Sequence, residues 1–257
     1  TLANQALSLK FDLPKIATAD DLLTFELPKV EVVDMRKELT AGNTSVLSRS
    51  LESKLEKVLD KNQQAILFLN RRGQATYVFC RHCGKSLRCP NDDQPLTWHG
   101  SQVGLLCHLC GYSRKMPSKC PNCGSKQIRQ LGLGTAKLEE VVKSRYPEAR
   151  ILRWDADTTK GKDDHELILA HFSAHRADIL IGTQMLAKGL DLPLVTLVGI
   201  VLAEVGLNLP DYRAAERSFQ VLTQVSGRAG RSPLGGEVVL QTYQPDNYVI
   251  QAAAHHD

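Results

Sequence analysis

The stretch Ala65-Ile-Leu-Phe-Leu-Asn70 is an unbroken apolar run with the length of a single β-strand. Strands of a parallel sheet are covered on both faces, so they show continuous apolar runs instead of alternation. Asp178-Ile-Leu-Ile-Gly182 and residues 195–202 have the same character. We therefore predict that these three segments are buried strands of one parallel sheet.

Helical segments separate the strands along the chain. Leucines that recur every four residues, the spacing of one buried helix face, follow two serines that can cap a helix. The leucines are Leu47, Leu51, Leu55 and Leu59, and the serines are Ser45 and Ser48. Further strands are predicted at 30–33, 75–79, 150–154 and 236–243, and further helices after Thr135, at 163–175, from Pro210 and from Asp246. This alternation predicts an α/β domain, whose ligands bind where the strands end.

The composition fits a globular protein of one large or two smaller domains. The chain has 257 residues, of which 42% are hydrophobic and 23% charged, with a formal net charge of +4. A charge this small permits nucleic-acid binding but does not argue for it, so that function has to rest on local sites. No apolar run has the length of a membrane span and no signal peptide opens the sequence, so we expect no membrane partner and a cytoplasmic protein.

All seven cysteines lie between Cys80 and Cys123. They form three Cys-x2-Cys pairs and one single cysteine, namely Cys80 with Cys83, Cys107 with Cys110, Cys120 with Cys123, and Cys89. A Cys-x2-Cys turn presents two thiolates on one side of a knuckle, and two knuckles complete a tetrahedral zinc site. The odd count favours metal over disulfides. The sequence thus predicts a small zinc-binding domain, inserted into the α/β domain.

Two four-thiolate sites would need eight cysteines, and the eighth is missing. The position that would complete a Cys-x2-Cys pair after Cys89 is Asp92. A carboxylate can bind zinc, and Asp93, His99 and His108 are alternative ligands. We expect two zinc sites, one with four cysteines and a weaker one with three cysteines and one of these side chains.

A second motif, Gln224-Val-Ser-Gly-Arg-Ala-Gly-Arg231, holds two arginines three positions apart. Arg228 and Arg231 carry permanent charge and forked donors, which suit a polyphosphate if a helix face brings them together. Gly227 and Gly230 keep the backbone between them close. Taken alone, the motif is equally compatible with a glycine-rich helix end whose arginines are solvated.

The segment 181–191 follows a predicted strand, which is a suitable place for a ligand loop. Thr183 and the adjoining amides can hold a phosphodiester. Gly189 and Asp191 can approach the ribose or the metal of a nucleotide. A plain turn would explain the Gly-Thr pair of this segment as well.

Two other segments offer phosphate contacts. Thr135 begins a predicted helix, whose positive amino terminus attracts anions, although a simple threonine cap accounts for it equally. Arg71 and Arg72 follow a predicted strand and can meet a nucleic-acid backbone or lie in a solvated turn.

The order of these motifs resembles the second RecA-like lobe of superfamily-two helicases. The phrases that carry the resemblance are Ile66-Leu-Phe-Leu-Asn-Arg-Arg-Gly73, Gly134-Thr135, the segment 182–191 and the arginine motif. Within that superfamily, the cysteine block is similar to that of the PriA family of replication-restart helicases (primosomal protein N-prime). The segments Pro210-Asp-Tyr-Arg213 and Gln241-Thr-Tyr-x-Pro245 are also similar to that family. The resemblance covers nearly the whole chain from about residue 30.

The resemblance implies roles for individual residues. It assigns an ATP site to Gln224, Gly227, Arg228, Arg231, Gly189 and Asp191, the last two coupling it to DNA. It assigns DNA contacts to Thr135, Thr183, Arg71 and Arg72. Arg228 and Arg231 would be catalytic, because they would stabilise charge on the transferring γ-phosphoryl group. Ala136 and Glu204 stand where the family leads us to expect Glu and Asp.

For the metals, the resemblance implies that the outer cysteine pairs share one zinc ion and the inner ones a second. The first set is Cys80, Cys83, Cys120 and Cys123. The second set is Cys89, Asp92, Cys107 and Cys110. Asp92 replaces a cysteine of the family, which puts the affinity of the second site in doubt.

The resemblance also divides the chain. Residues 1–29 would be a connector or the end of a missing first lobe, 30–79 and 124–257 the helicase lobe, and 80–123 the zinc-binding insertion. A phosphate loop and a metal-holding Asp-Glu strand, which belong to the first lobe, do not occur in this sequence. We therefore expect ATP and Mg²⁺ to bind only with a first lobe present, and this chain alone to be inactive.

The function that follows is the second motor lobe of an ATP-dependent 3′-to-5′ DNA helicase that binds stalled or branched replication forks and initiates primosome assembly. The expected partners are forked or single-stranded DNA, primosome proteins and single-stranded DNA-binding protein, with a nucleoid-associated location. The alternative is a zinc-bearing module that binds DNA or proteins and hydrolyses no nucleotide. A nucleotidyl- or kinase-type enzyme fits poorly, because the sequence has no phosphate loop.

Overall fold

The computed structural model describes residues 27–70, 77–130, 133–159, 161–183, 192–209, 211–229, 232 and 234–257. Its strands are β1 (Lys29–Asp34), β2 (Gln64–Leu69), β3 (Val78–Cys80), β4 (Thr97–Trp98), β5 (Leu105–Leu106), β6 (Ser113–Arg114), β7 (Ile128–Gln130), β8 (Ile151–Trp154), β9 (Ile179–Gly182), β10 (Val195–Val201) and β11 (Glu237–Thr242). Its helices are α1 (Met35–Thr40), α2 (Arg49–Asp60), α3 (Gly100–Val103), α4 (Thr135–Arg145), α5 (Lys162–Ser173), α6 (Ala214–Ser226), α7 (Tyr248–His255) and a 3-10 helix at Ala203–Asn208.

Six of the strands form one sheet in the spatial order β1-β11-β10-β2-β9-β8, and every neighbouring pair is parallel. The central strands β2, β9 and β10 are buried at every residue. They are the continuous apolar runs of the sequence, because a strand covered on both faces needs an apolar side chain at nearly every position. The predicted α/β fold with a parallel sheet is confirmed.

Strand β2 shows how the helices divide between the two faces of the sheet. Leu67 and Leu69 pack in a core cluster with α2 and α4. Ile66 and Phe68 pack in a second cluster with α5, α6 and α7. Successive side chains of a strand point to opposite faces, so one apolar run supplies both cores.

Helix α2 packs tightly on the sheet. Ser48 is its cap, with a hydroxyl that accepts the Leu51 N–H at 3.2 Å, so the second of the two predicted capping serines is the correct one. A Cβ atom on Gly199 of β10 would lie 2.8 Å from Leu51 Cδ1 and 2.7 Å from Leu67 Cδ2. No larger residue fits there, because helix and sheet are already in contact.

Two sequence expectations were wrong in detail. The strand expected at 75–79 does not join the large sheet, since Val78–Cys80 pairs antiparallel with β7 at the base of the cysteine-rich region. The long helix expected from Pro210 begins at Ala214, after the 3-10 helix, and Pro210 lies outside the described residues. Helix α1 and the 3-10 helix were missed, because segments this short carry little periodicity.

The cysteine-rich region is built from very short strands. Antiparallel strands β4, β5 and β6 form its own sheet, and β3 and β7 form the two-stranded base. Its core is small, with buried side chains such as Val78, Leu87, Leu96 and Leu105. A core this small requires another source of stability, and bound metal is the usual one. Among the described residues, no helix combines the length and the apolar character needed to cross a bilayer.

Candidate functional site

Two groups of side chains in the cysteine-rich region bring their ligand atoms within 4.8 Å of one another. We call Cys80, Cys83, Cys120 and Cys123 the proximal cluster. We call Cys89, Asp92, Cys107 and Cys110 the distal cluster. These groups coincide with the two ligand sets that the family resemblance implied.

The proximal cluster has the geometry of a tetrahedral thiolate site. The Sγ atoms of Cys80 and Cys123 lie 3.7 Å apart, and those of Cys83 and Cys120 lie 3.8 Å apart. Zinc–sulfur bonds of about 2.3 Å at tetrahedral angles give sulfur–sulfur distances of roughly 3.8 Å. Burial raises the pKa of the Cys80 thiol to about 12, so it ionises at neutral pH only if a cation replaces its proton. The donor set therefore fits zinc.

The distal cluster also fits a metal ion. The Sγ atoms of Cys89 and Cys110 lie 3.5 Å apart, and Cys107 Sγ lies 3.2 Å from Asp92 Oδ2. A tetrahedral zinc ion with one sulfur and one oxygen ligand places those two atoms roughly 3.5 Å apart. The Gln94 N–H donates to Asp92 Oδ1 at 3.0 Å and holds the pKa of Asp92 below its usual range. Asp92 is thus a carboxylate at neutral pH, as a ligand has to be.

The alternative fourth ligands have other contacts. Asp93 forms an ion pair with Arg88, with 3.1 Å between Oδ2 and Nη1. His99 and His108 lie against each other, with 2.9 Å between their Nε2 atoms. Of the four candidates, Asp92 is the one whose ligand atom lies among the three thiols.

Each knuckle closes with a glycine in the left-handed region. Gly84, Gly111 and Gly124 have φ angles of +75°, +76° and +72°. Their N–H groups donate to the carbonyl of the first cysteine of the pair, for example Gly84 to Cys80 at 2.8 Å. A side chain is disfavoured at this φ, which explains the glycine after each Cys-x2-Cys pair. Asp93, with a φ of +55°, takes the matching position after Asp92, and its N–H donates to the Cys89 carbonyl at 3.1 Å.

The proximal cluster is docked on the α/β domain where β11 ends. Arg81 Nε donates to the Tyr243 hydroxyl at 2.7 Å, and Gln244 Nε2 donates to the Gly84 carbonyl at 3.2 Å. A Cβ atom on Gly84 would lie only 2.0 Å from the Tyr243 carbonyl oxygen. The first knuckle is therefore fixed to the sheet by direct backbone contact.

Two of the predicted DNA contacts meet at the end of the sheet where the strands finish, which we call the carboxyl edge. Trp154 of β8 is paired with Gly182 of β9, so the residues that follow them, Asp155 and Thr183, lie side by side. The hydroxyl of Thr135, at the start of α4, donates to the carboxylate of Asp155. The structure therefore brings Thr135 and Thr183 to one edge.

Thr135 is 8% exposed, and its hydroxyl is committed to Asp155. Burial acts to raise the pKa of Asp155, but this hydroxyl, backbone N–H groups and Arg153 lower it below its usual value. Gly134 supplies no side-chain cap to α4. A phosphate at this place would therefore bind the first amides of α4 rather than the threonine hydroxyl.

The arginine motif lies at the opposite end of the sheet, the amino edge, where the strands begin. Helix α6 carries Gln224 and ends at Ser226, with Gly227 as its cap. The Arg228 N–H donates to the Val225 carbonyl at 3.0 Å, in the turn beyond the helix. The prediction that one helix face presents both arginines is therefore wrong for Arg228, which lies two residues beyond the end of α6.

Arg228 lies in a closely packed turn. Its side chain is 5% exposed, and the next residue, Ala229, is completely buried. A Cβ atom on Gly236, just before β11, would lie 1.9 Å from the Ala229 carbonyl oxygen. The backbone that carries this guanidinium is therefore pressed against the start of β11. The sequence led us to expect ligand-binding residues at the carboxyl edge. Thr135 and Thr183 lie at that edge, whereas Arg228 lies at the amino edge.

Five of the predicted site residues lie outside the described residues, namely Arg71, Arg72, Gly189, Asp191 and Arg231. The described residues next to these gaps show where the chain is placed on either side of them. Asn70, before Arg71, is buried at the carboxyl edge, with its Nδ2 3.3 Å from the Ala203 carbonyl. Segment 184–191 joins Thr183 at the carboxyl edge to Leu192, which precedes β10 at the amino edge.

Sequence reasoning missed the burial of Glu204, which it noted only as a departure from the family. Glu204 is completely buried, and the Thr242 hydroxyl donates to its Oε2 at 2.7 Å. Burial raises the pKa of Glu204, and burial together with the charge of Glu204 raises the pKa of Tyr77. The signal that could have revealed it is a lone acidic residue directly after an apolar strand.

Comparison with known proteins gives consistent results. A family model described as helicase conserved C-terminal domain matches residues 125–233. Replication restart protein PriA of Bacillus subtilis is 49% identical over 231 residues, which are 90% of this chain and 29% of that protein. The PriA proteins of Synechocystis and Chlamydia pneumoniae are 49% and 42% identical, over 90% and 89% of this chain and 28% and 31% of theirs.

The chain thus spans less than a third of the length of these relatives. Among solved structures, the C-terminal domain of the DEAD-box protein Dbp5 aligns with 90% of this chain and 84% of its own length. The sequence identity is 12% and the TM-score is 0.43, a likeness too low to add to the assignment.

Proposed function

We propose that this chain, which belongs to the PriA family of replication restart proteins, forms the second motor lobe of an ATP-dependent DNA helicase. One observation carries the proposal. Two residues suited to nucleotide and to DNA lie at opposite edges of one six-stranded sheet, with Arg228 at the amino edge and Thr183 at the carboxyl edge. A lobe that holds two ligands at two edges can pass a change at one on to the other.

The DNA contact in this proposal is to the phosphate backbone. Thr183 and the amino terminus of α4 offer a hydroxyl and backbone N–H groups at one edge. Arg71 and Arg72 lie outside the described residues and enter the proposal from the sequence alone, as the two residues after Asn70. Groups of this kind hold phosphates without reading base sequence. Such binding suits a motor that has to move along any sequence.

The ATP contact in this proposal is made by Arg228 and Arg231, with Gln224 and Gly227 beside them. Arg228 is 5% exposed and the adjoining backbone packs against the start of β11, so we expect its guanidinium to need little reorganisation when charge develops on a phosphoryl group. ATP with Mg²⁺ would supply the transferable phosphoryl group, held between this lobe and a first lobe. This chain alone should hydrolyse no ATP, because it brings arginines but no phosphate loop.

Coupling between the two edges is assigned to segment 184–191. Its ends are Thr183 at the DNA edge and Leu192 at the ATP edge. Gly189 and Asp191 lie in that segment, so a nucleotide that holds them would alter the position of Thr183. This would link ATP turnover to a step along DNA.

Both metal clusters are proposed to hold zinc in a structural role. Closed sets of three or four thiolates leave no open position for a reactive water molecule. The metals would instead stabilise a region whose apolar core is small. The weaker site would be the distal one, with Asp92 as fourth ligand.

The wider role in this proposal is replication restart in the full-length protein. It would unwind DNA in the 3′-to-5′ direction at stalled or branched forks and act with primosome proteins and single-stranded DNA-binding protein. Its location would be cytoplasmic and nucleoid-associated. Support comes from the relatives named replication restart protein, of which this chain matches only a part.

The proposal is tested by Arg228→Ala in the full-length protein. We expect DNA-stimulated ATP turnover to fall by about 10³-fold, as for other arginines that act on a γ-phosphoryl group, with little change in DNA affinity. Arg145→Ala is the matched control, an exposed arginine at the amino edge that pairs with Glu56, and should leave turnover within about twofold. Undiminished turnover in Arg228→Ala would reject the motor assignment and favour a zinc-bearing binding module.

A further inference from the structure

A cleft of about 270 Å³ opens at the amino edge of the sheet, between α2 and the start of β11. Its walls are α2, the beginning of β10 and the turn that precedes β11. Of its residues, only Gly236 has been used above, in the packing next to Arg228, and none has been assigned a contact with ATP or DNA. Its size is close to the lower end of the range for ligand pockets, enough for one or two side chains of a partner.

The charge of the cleft is positive. Lys54 and Lys57 of α2 and Lys61, the residue after this helix, line the cleft, and Glu237 is the one acidic residue in its lining, which gives a net charge of +2. Lys54 is already neutralised, because it pairs with Glu31 at 2.9 Å and with Glu237.

The other two lysines remain available. Lys57 and Lys61 are exposed, and within the described part of the chain neither has a carboxylate within ion-pair distance. They stand four residues apart, so their ammonium groups lie over the same side of the helix. Two uncompensated cations beside a cavity provide a site for an anion with more than one charge.

The cleft also has an apolar part. Val58 and Leu197 form its floor and are almost completely buried. Leu234 stands in its wall with 57% of its surface exposed, next to Gly235, around whose Cβ position no atom lies within 4 Å. An apolar side chain placed here would cover Leu234 and would be stabilised by the removal of apolar surface from water.

We propose that this cleft binds an acidic peptide segment of a partner protein, with carboxylates at Lys57 and Lys61 and an apolar side chain against Leu234. A nucleic-acid backbone fits less well, because phosphates would leave Leu234 uncovered. A small phosphate ion fits less well because it too would leave Leu234 uncovered. The combination of paired cations and an apolar wall matches a chain that alternates acidic and apolar residues.

The probe is a fluorescein-labelled peptide, Asp-Asp-Leu-Asp-Asp, titrated with this chain and with the full-length protein while anisotropy is recorded. We expect saturable binding that weakens with salt, since the ion pairs are exposed. Replacing the central leucine of the peptide with serine should weaken binding several-fold, and replacing the aspartates with serine should abolish it.

Variants of the protein place the site. Lys57→Glu with Lys61→Glu should lower peptide affinity by roughly tenfold or more, and Leu234→Ser by a smaller factor. The matched control is Lys37→Glu with Lys115→Glu, two exposed lysines outside the cleft. Circular dichroism of each variant shows whether it is folded, and Leu234→Ser tests the site without a change of charge.

Four results would overturn the proposal. One is no anisotropy change up to millimolar peptide, and another is an equal loss in the control variant, which would mean general charge attraction. A third is a loss of oligonucleotide binding in Lys57→Glu/Lys61→Glu with peptide binding unchanged, which would make the lysines a DNA contact. The fourth is binding to this chain but not to the full-length protein, which would mean that another domain covers the cleft.

Discussion

The proximal and distal clusters have similar ligand geometry and very different surroundings. The proximal cluster rests on the end of β11 through Gly84, Tyr243 and Gln244. The hydrogen bonds of the distal cluster are made to its own neighbours, such as Gln94 and Asn91. Clusters of similar geometry thus occupy two settings, since one is packed against the end of β11 and the other has its contacts within the cysteine-rich region. The predictions below test this contrast.

The largest effect is expected when a ligand is removed. Cys83→Ser should abolish metal binding at the proximal cluster and unfold the whole insertion, because structural zinc contributes roughly 10 kcal/mol or more to such domains. Cys110→Ser should release the distal metal only. Hydrogen exchange of residues 78–85 separates the two, and fast exchange there in both variants would show that the clusters are not independent.

A smaller effect is expected from the three knuckle glycines. Gly84→Ala, Gly111→Ala and Gly124→Ala each place a side chain at positive φ, which costs about 1–2 kcal/mol. Only Gly84→Ala also drives a Cβ atom into the Tyr243 carbonyl, so it should lose about 1–3 kcal/mol more. The measurement is the free energy of unfolding at saturating metal. Equal losses in all three would show that the proximal knuckle is not pressed against β11.

The distal cluster is expected to improve when its carboxylate is replaced. Asp92→Cys completes a four-thiolate set, which zinc prefers, and should raise metal affinity by at least about tenfold in competition with a chelator. Asp93→Cys is the neighbouring control and should change nothing, since Asp93 pairs with Arg88 instead. An unchanged affinity in Asp92→Cys would mean that Asp92 is not a ligand.

The smallest effect concerns the buried carboxyl group of Glu204. Burial raises the pKa of Glu204 in the folded protein above the ordinary value of 4.5, so the charged form destabilises the fold. Below pH 4.5 the group is protonated in both states and costs nothing, and the cost develops as pH rises through the folded pKa.

Glu204→Gln should therefore raise the free energy of unfolding at pH 7 and give no gain at pH 4, while its amide oxygen still accepts from Thr242. The exposed Glu148→Gln serves as control and should match the parent protein at both pH values. A gain that is independent of pH would show that the ionisation of Glu204 is not its cause.

Much of the fold was predictable because its signals are local. The run at 65–70 had to be a strand covered on both faces, and the leucine spacing of α2 had to be a helix with one buried side. The knuckles followed from Cys-x2-Cys spacing in the same way. The strand predicted at 75–79 overlaps β3 at Val78 and Phe79, but its pairing with β7 could not be foreseen, because β7 lies some fifty residues later and the pairing leaves no local pattern.

The candidate site was predictable in its residue types and less so in its arrangement. The sequence by itself determined that Arg228 suits a phosphate, that Thr183 follows a strand and that seven cysteines in knuckle spacing suit metal. Those properties belong to side chains and their nearest neighbours. They required no knowledge of the fold.

Only the tertiary structure decided where these groups stand. It places Thr135 and Thr183 at one edge and Arg228 at the other, since parallel strands share a direction and α6 runs back between β10 and β11. It selects Asp92 over Asp93, His99 and His108 as the side chain among the three thiols, and it buries Glu204 beside Thr242, which lies 38 residues later. Sequence spacing determines local geometry, whereas the edge of the sheet and the depth of burial depend on packing of the entire chain.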